Sequence, residues 1–510
     1  GSFGSFKTSF NSSNQYIINC NGMLFFTADD GVHGKELWKS DGSQANTILV
    51  KDINPGINGI SDITNRNSLQ YNNILYFSAN DGTNGSELWR TDGTSSGTFM
   101  IKDINPGLGG GCGGYLINQN GILFFIGNNG TNGSELWRTD GTSSGTFMVK
   151  DINPGLSSGM SGNEFENLNG TLFFTANDGT FGRELWKTDG TSSGTVRVTD
   201  INPGAGSIST SQIGLYNFNG MLYFAADDGT NGKELWKFNG TNGLAKVKEI
   251  NPNGSSSPYN MFGIGSTMFF SANDGNVGNE LWKTDGTSNG TYLVKDIRSI
   301  NSSNPNNFIN YNNTLYFIAN SVECGVELWK SDGTASGTIV VKDINSGSSS
   351  SGINELALFN NKIIFRASSG SFEGSELWQS DGSSSGTMIV SNINPASSGY
   401  NGSTPHSFVN LSGVLYFIAN DGSTGYELWK YSDNSAPTAV SISSSSVAEN
   451  ISVGSIIGAL TSTDPDTNNT FTYSLVTGTG STDNGVFQIV SGSLQTAAVF
   501  DYETKSSYSV

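Results

Sequence analysis

Short apolar and β-branched runs recur along the first 430 or so positions, each bounded by Asn-Gly, Asp-Gly or Gly/Ser-rich segments. In one stretch Ile74-Leu75-Tyr76-Phe77-Ser78-Ala79 leads through Asn80 to Gly85 into Glu87-Leu88-Trp89-Arg90-Thr91. Asp92 to Gly97 then precede Thr98-Phe99-Met100-Ile101-Lys102. Runs of this length suit strands, and Asn, Asp and Gly tolerate the positive φ of tight hairpin turns. With a weaker strand ending at Tyr71-Asn72-Asn73, the pattern predicts a four-stranded antiparallel meander. No apolar spacing of 3.6 residues appears, which excludes a helical solenoid, and the units are too long for the rungs of a β-solenoid.

The meander repeats. All nine tryptophans stand in Glu-Leu-Trp, at Trp38, Trp89, Trp137, Trp186, Trp236, Trp282, Trp329, Trp378 and Trp429, spaced 46 to 51 residues apart. A period near 49 residues with four strands per unit is that of propeller blades. Residues 1–432 are therefore expected to form a toroidal β-propeller, nine blades being favoured over eight. Successive strand residues face opposite ways, so Leu and Trp of each motif should fill the two neighbouring layers between repeats. After the fourth strand comes Asp-Ile-Asn-Pro-Gly, as at Asp52 to Gly56, and a Gly/Ser-rich return. In the ninth copy Tyr431-Ser432-Asp433-Asn434 stands in place of a fourth strand. Phe3 to Phe10 is a candidate to supply it, although few residues are left to cross from there to the first strand.

From residue 433 tryptophan disappears and a Ser/Thr/Val-rich stretch begins. Strands are expected at Ala439 to Ser443, Ile456 to Leu460, Phe471 to Val476, Phe487 to Val490 and Leu494 to Thr496. A β-sandwich of about seven strands needs roughly 100 residues. Residues 433–510 are therefore expected to be a sandwich incomplete at its C-terminal end.

Composition narrows the function classes. With 25 Lys+Arg against 44 Asp+Glu the net charge is -19, a field that repels nucleic-acid phosphates and anionic lipid. No apolar run reaches the length of a membrane-spanning helix. An aromatic content of 11% is too high for a disordered chain. Three cysteines among Asn-, Ser- and Gly-rich loops fit an exported, extracellular or cell-surface protein that does not depend on disulfides. The opening Gly-Ser-Phe-Gly-Ser-Phe has no basic-then-apolar signal, so the chain reads as a mature or trimmed form.

Candidate chemistry is sparse. The motif glutamates Glu36, Glu87, Glu135, Glu184, Glu234, Glu280, Glu327, Glu376 and Glu427 are constant. The neighbouring turn acid is not: Asn129, Ser321 and Ser369 replace it in three copies. Joint metal ligands should vary together, so the glutamates are expected to be structural acceptors for backbone or Lys donors. Asp92, Asp140, Asp189, Asp285, Asp332 and Asp381 read as turn acceptors. Tryptophan repeated at mid-strand beside Leu reads as core rather than as a sugar-stacking surface. Ligand selectivity is expected where copies differ, in Gly56 to Asn67, Gly107 to Tyr115, Gly155 to Glu164 and Ser346 to Ile353. His33 and His406 are placed in loops at opposite ends of the array, with no nucleophile motif beside them. Cys20, Cys112 and Cys324 fall at different places in their repeats and are expected to stay unpaired.

Two families are recognisable. Glu87-Leu88-Trp89-Arg90-Thr91-Asp92-Gly93-Thr94 and Glu184 to Thr191 resemble the bacterial ELWxxDGT repeat, from which Phe238-Asn239-Gly240 and Tyr431-Ser432-Asp433 depart. Val447-Ala448-Glu449-Asn450, Asp464-Pro465-Asp466 and Phe500-Asp501-Tyr502-Glu503 resemble a bacterial cadherin-like repeat. That second resemblance implies Ca²⁺ as cofactor. Asp464 and Asp466, with Asp433 and Asn434, would sit at the junction with the propeller, and Glu449, Asp501 and Glu503 at the opposite pole. Together the resemblances imply a non-enzymatic extracellular binding or adhesion module of a large bacterial surface protein. Its variable loops would take a glycan or a surface protein, on a calcium-stiffened stalk. A structural component of a cell-surface assembly, with self-association, is the alternative, and a polysaccharide-active hydrolase ranks third.

Overall fold

A computed structural model describes the backbone of residues 2–10 and, with side chains, residues 16–56, 59–61, 63–64, 66–162, 165–203, 214–299, 301–370, 374–395, 402–433, 437–464 and 471–510. The chain divides into two units, 3–431 and 432–510 with the first two residues.

The larger unit is all-β and propeller-like. Seven of its repeats are separate four-stranded antiparallel sheets with neighbours in chain order. In the second repeat these are Ser68–Tyr71, Ile74–Asn80, Ser86–Thr91 and Phe99–Lys102. The first and ninth repeats share an eight-stranded sheet through the N-terminal strand Ser2–Phe10. That strand is hydrogen-bonded between Tyr426–Ser432 of the ninth repeat and Met23–Asp29 of the first. The candidate segment thus takes the outer place beside the ninth repeat's third strand.

The hairpin Thr-Asp-Gly-Thr-x-x-Gly-Thr follows from its hydrogen bonds. Asp92 Oδ1 accepts from Thr94 N at 2.8 Å, Thr91 Oγ1 accepts from Gly93 N at 2.9 Å, and Thr98 Oγ1 donates to Thr94 O at 2.7 Å. Gly93 has φ +88°, and a Cβ on Gly97 would lie 2.1 Å from Asp92 Oδ1, so both glycines are required. Asp140, Asp189, Asp285, Asp332 and Asp381 repeat the acceptor role.

The core lies between repeats. Nine buried apolar clusters among the described residues each join the motif Leu of one repeat to the motif Trp of the next. Leu37 meets Trp89 beside Phe25, Leu75 and Phe77. In the closing cluster Leu428 of the ninth repeat meets Trp38 of the first, beside Leu24, Phe26 and Tyr416. A closing hydrogen bond runs from Ile17 N to Ser407 Oγ at 2.6 Å. Leu and Trp therefore serve opposite layers, and the array returns on itself. Burying one such aromatic contributes about 1.5–3 kcal/mol.

Cations tie the layers. The ammonium of Lys51 donates to Thr98 O at 2.7 Å, and Lys102, Lys150, Lys248, Lys295 and Lys342 repeat the bond to the next repeat's Thr146, Thr195, Thr291, Thr338 and Thr387. Three of them, Lys150, Lys295 and Lys342, also lie over the next repeat's tryptophan at 5.8 to 6.0 Å. Cys20, Cys112 and Cys324 are buried, unpaired and in three different clusters.

The smaller unit is one four-stranded antiparallel sheet in the order Ala439–Ile442, Ile456–Thr463, Ser493–Thr496, Phe487–Val490. Its buried centre is Ile457, Leu494 and Phe500, with Phe500 stacked on Tyr508 at 4.4 Å. The expected strand at Phe471 to Val476 does not form. Its alternation is right for a strand, but it pairs with no neighbour, and the described residues make one sheet rather than a two-sheet sandwich.

Candidate functional site

All nine motif glutamates are buried, and eight of them, Glu36 to Glu376, are hubs for backbone and side-chain donors. Glu87 is fully buried, and its two oxygens accept from Ile104 N at 3.0 Å and Asn105 N at 3.2 Å. These amides belong to the Ile-Asn-Pro corner after the fourth strand. In other repeats the second oxygen also accepts from the return loop, as from Gly159 N to Glu135 at 2.7 Å, Ser303 N to Glu280 at 2.9 Å and Ser403 N to Glu376 at 2.9 Å. The constant glutamate therefore clamps corner and return loop onto its own sheet. Burial pushes the carboxyls of Glu36, Glu87, Glu135 and Glu327 up to about 7 against the lowering effect of these N–H donors.

The return loops expected to carry selectivity are pinned as well. Cys112 pairs with Gly127, Gly111 N donates to Ser86 O at 2.9 Å, and Met160 N donates to Ser134 O at 2.9 Å. Part of each of the loops at Gly56 to Asn67 and Gly155 to Glu164 lies outside the described residues. Six tryptophans, Trp89, Trp137, Trp186, Trp282, Trp329 and Trp378, are buried core, and Trp38, Trp236 and Trp429 are partly buried against the same layers.

The histidines differ from expectation. His406 stands in the strand His406–Leu411 rather than in a loop, and it is buried. Its Nδ1 lies 3.0 Å from Thr404 O and its ring is edge-on to Tyr426. Desolvation holds it below the usual histidine range. His33 is exposed in a turn, with Nδ1 2.7 Å from Asp30 Oδ2, and that hydrogen bond raises its pKa.

In the smaller unit Glu449, Asp501 and Glu503 converge, each offering a carboxylate oxygen within 4.8 Å of the others. Two chain segments make this geometry. Asn450 N donates to Phe500 O at 2.9 Å, and Tyr502 N donates to Glu449 Oε2 at 3.1 Å. Buried Phe500 anchors the second segment. Thr504 Oγ1 donates to Asp501 Oδ2 at 2.8 Å, and this bond holds Asp501 below the ordinary carboxylate range. All three acids are exposed, all their donors are hard oxygens, and water has room to complete a shell of six to eight, so the residues fit Ca²⁺. Asp433 and Asp464 join no such group among the described residues, and Asn434 and Asp466 lie outside them.

No family model and no curated protein matches the chain. Solved structures align with it at low identity. A puromycin hydrolase is 12% identical, covering 71% of this chain and 59% of its own, with a TM-score of 0.36. A prolyl endopeptidase structure is 13% identical, covering 80% and 52%, with a TM-score of 0.37. A puromycin-hydrolysing peptidase of Mycobacterium tuberculosis is 8% identical, covering 69% and 57%, with a TM-score of 0.34. The chain thus spans between about half and three-fifths of the length of these structures. These three structures, a hydrolase and two peptidases, correct the expectation of a non-enzymatic adhesion module. At these scores the likeness assigns it no reaction, substrate or catalytic residue.

Proposed function

We propose that the chain is an exported calcium-binding protein whose smaller unit takes one Ca²⁺ at Glu449, Asp501 and Glu503. The observation that carries this reading is the convergence of three exposed carboxylates from two segments tied together by backbone hydrogen bonds. Three carboxylates on an open surface suit weak binding, about 10⁻⁴–10⁻³ M, which is filled where calcium is millimolar, outside the cell. The resemblance of residues 447–450 and 500–503 to the cadherin-like repeat supports the same ion. On the same reading the larger unit belongs with ELWxxDGT-repeat proteins as a closed ring of nine blades, supported by nine motif copies and by the Leu428–Trp38 layer.

Titration calorimetry of the full chain with Ca²⁺ tests the ion. Saturable binding in that range is expected, weakened at least tenfold in Asp501→Asn and in Glu449→Gln. Binding unchanged in the double variant overturns the reading. Electron-microscopic class averages of the ring viewed end-on test the blade count by the number of lobes.

A further inference from the structure

His406 is buried at the point where the array closes. It opens the first strand of the ninth repeat, His406–Leu411, and its neighbour Ser407 makes the closing bond to Ile17. Ser407 stands at φ 59°, a left-handed backbone that serine adopts where contacts hold it. Those contacts come from both sides. Glu355 Oε1 of the eighth repeat accepts from Ser407 N at 2.6 Å and Phe408 N at 3.2 Å, and Ile17 N of the first repeat donates to the Ser407 hydroxyl at 2.6 Å. Three repeats thus meet at residues 406–408.

The imidazole is held in one protonation state. Its Nδ1 lies 3.0 Å from Thr404 O, which can only accept, so Nδ1 carries the hydrogen and Nε2 keeps its lone pair. Nε2 is shielded from solvent and has no hydrogen-bond partner among the described residues. A lone pair tolerates that place, but a protonated Nε2 would be a buried charge with no acceptor. On the ninth repeat's own strands the register partner is Ile418, and Tyr426 meets the ring edge-on with its phenol bonded to Thr404 Oγ1 at 2.8 Å. Glu427, next to Tyr426, is buried. The eighth repeat brings Arg366 and Glu355. Burial, and then the Arg366 charge, hold His406 below the usual histidine range, while burial raises the Glu355 carboxyl. In acid Glu355 is neutral, and an imidazolium would face Arg366 as a like charge.

We propose that His406 is an acid-operated release for the closure: protonating Nε2 drives the ring from its place and loosens the junction of the eighth, ninth and first repeats. The stretch of backbone that carries the imidazole also carries Ser407, so expelling the ring breaks the Glu355 and Ile17 contacts together. A histidine that the fold keeps neutral stabilises in full above its ordinary value of about 6.5, and less as pH falls through its lowered value. The raised glutamate clamps titrate with the opposite sign. Acid therefore loosens the closure while the other repeats hold.

Amide hydrogen exchange of the full chain, corrected for the intrinsic effect of pH, tests this at about pH 7.5 and about pH 5. Peptides covering residues 17–20 and 406–411 should exchange about tenfold faster or more at the lower pH, and peptides covering the strands of the third repeat should not. The seventh and eighth repeats place Asn306 and Asn354 in the register of His406, and the sixth places Tyr259, so His406→Asn and His406→Tyr both suit the site. In either variant the acid response should vanish while protection at the higher pH is kept. Equal protection at both pH values in the parent chain overturns the proposal. So does a response that survives the substitutions, or one that the third repeat shares, which is acid unfolding of the whole ring.

Discussion

The carboxylate of Glu87 meets backbone amides 17 and 18 residues downstream, and the same contact recurs around the ring at Glu36, Glu135 and Glu234. Gln in its place would turn an amide N–H toward one of those donors, so Glu87→Gln should cost about 1–3 kcal/mol in urea unfolding. The raised carboxyl values fix a direction in pH. A folded state that keeps a proton which the unfolded chain has released loses stability as pH rises. The contribution is complete below the ordinary glutamate pKa of about 4.3 and is lost as pH climbs through about 7. The urea midpoint should therefore fall between pH 5 and pH 8, and Glu87→Gln should flatten that slope; a midpoint rising over this range contradicts the assignment. The structural role of these glutamates was legible from their constancy beside a varying turn acid. Their partners were not, because a backbone amide leaves no mark on side-chain identity. The Ile-Asn-Pro element recurring at a fixed distance was the one available signal.

Strand positions were legible where turn chemistry bounded them. Asp92, Gly93 and Gly97 occupy the places that the hairpin's hydrogen bonds and close approach require, and Asp92→Ala should lower stability by about 1 kcal/mol in the same assay. The first strands were harder to read, and in the later repeats they are longer and irregular. Tyr259–Ile264 and His406–Leu411 contain register shifts, with Asn260 and Ser407 at φ 52° and 59°. Bulges of this kind meet the neighbouring repeat, as where Glu355 of the eighth accepts from Ser407 N and Phe408 N of the ninth. Phe471 to Val476 shows the converse: alternation describes a strand's two faces but not whether an edge is there to pair with. The triad in the smaller unit was reached through resemblance alone, since Glu449 and Asp501 are 52 positions apart in the chain.

At the scale of the ring, each Glu-Leu-Trp contributes to two layers, so one substitution disturbs two neighbours. Trp282→Ala should cost about 3–5 kcal/mol, read by chemical unfolding, where a surface lectin tryptophan would cost little. Removing residues 2–10 leaves the third strand of the ninth repeat with an open edge and should lower the unfolding midpoint while increasing self-association in light scattering.

The N-terminal strand that closes the ring has a consequence for biosynthesis. It leaves the ribosome ahead of every repeat, and its hydrogen-bonding edge on Tyr426–Ser432 is made only once the ninth repeat has emerged. At about 5–20 residues per second this delay is roughly 20 to 90 s, during which the leading repeat shows an uncovered apolar face around Leu24, Phe26 and Trp38. Nascent chains are therefore the stage most exposed to chaperones and proteases. A copy stalled before the ninth repeat would present that face to its neighbours on the same message.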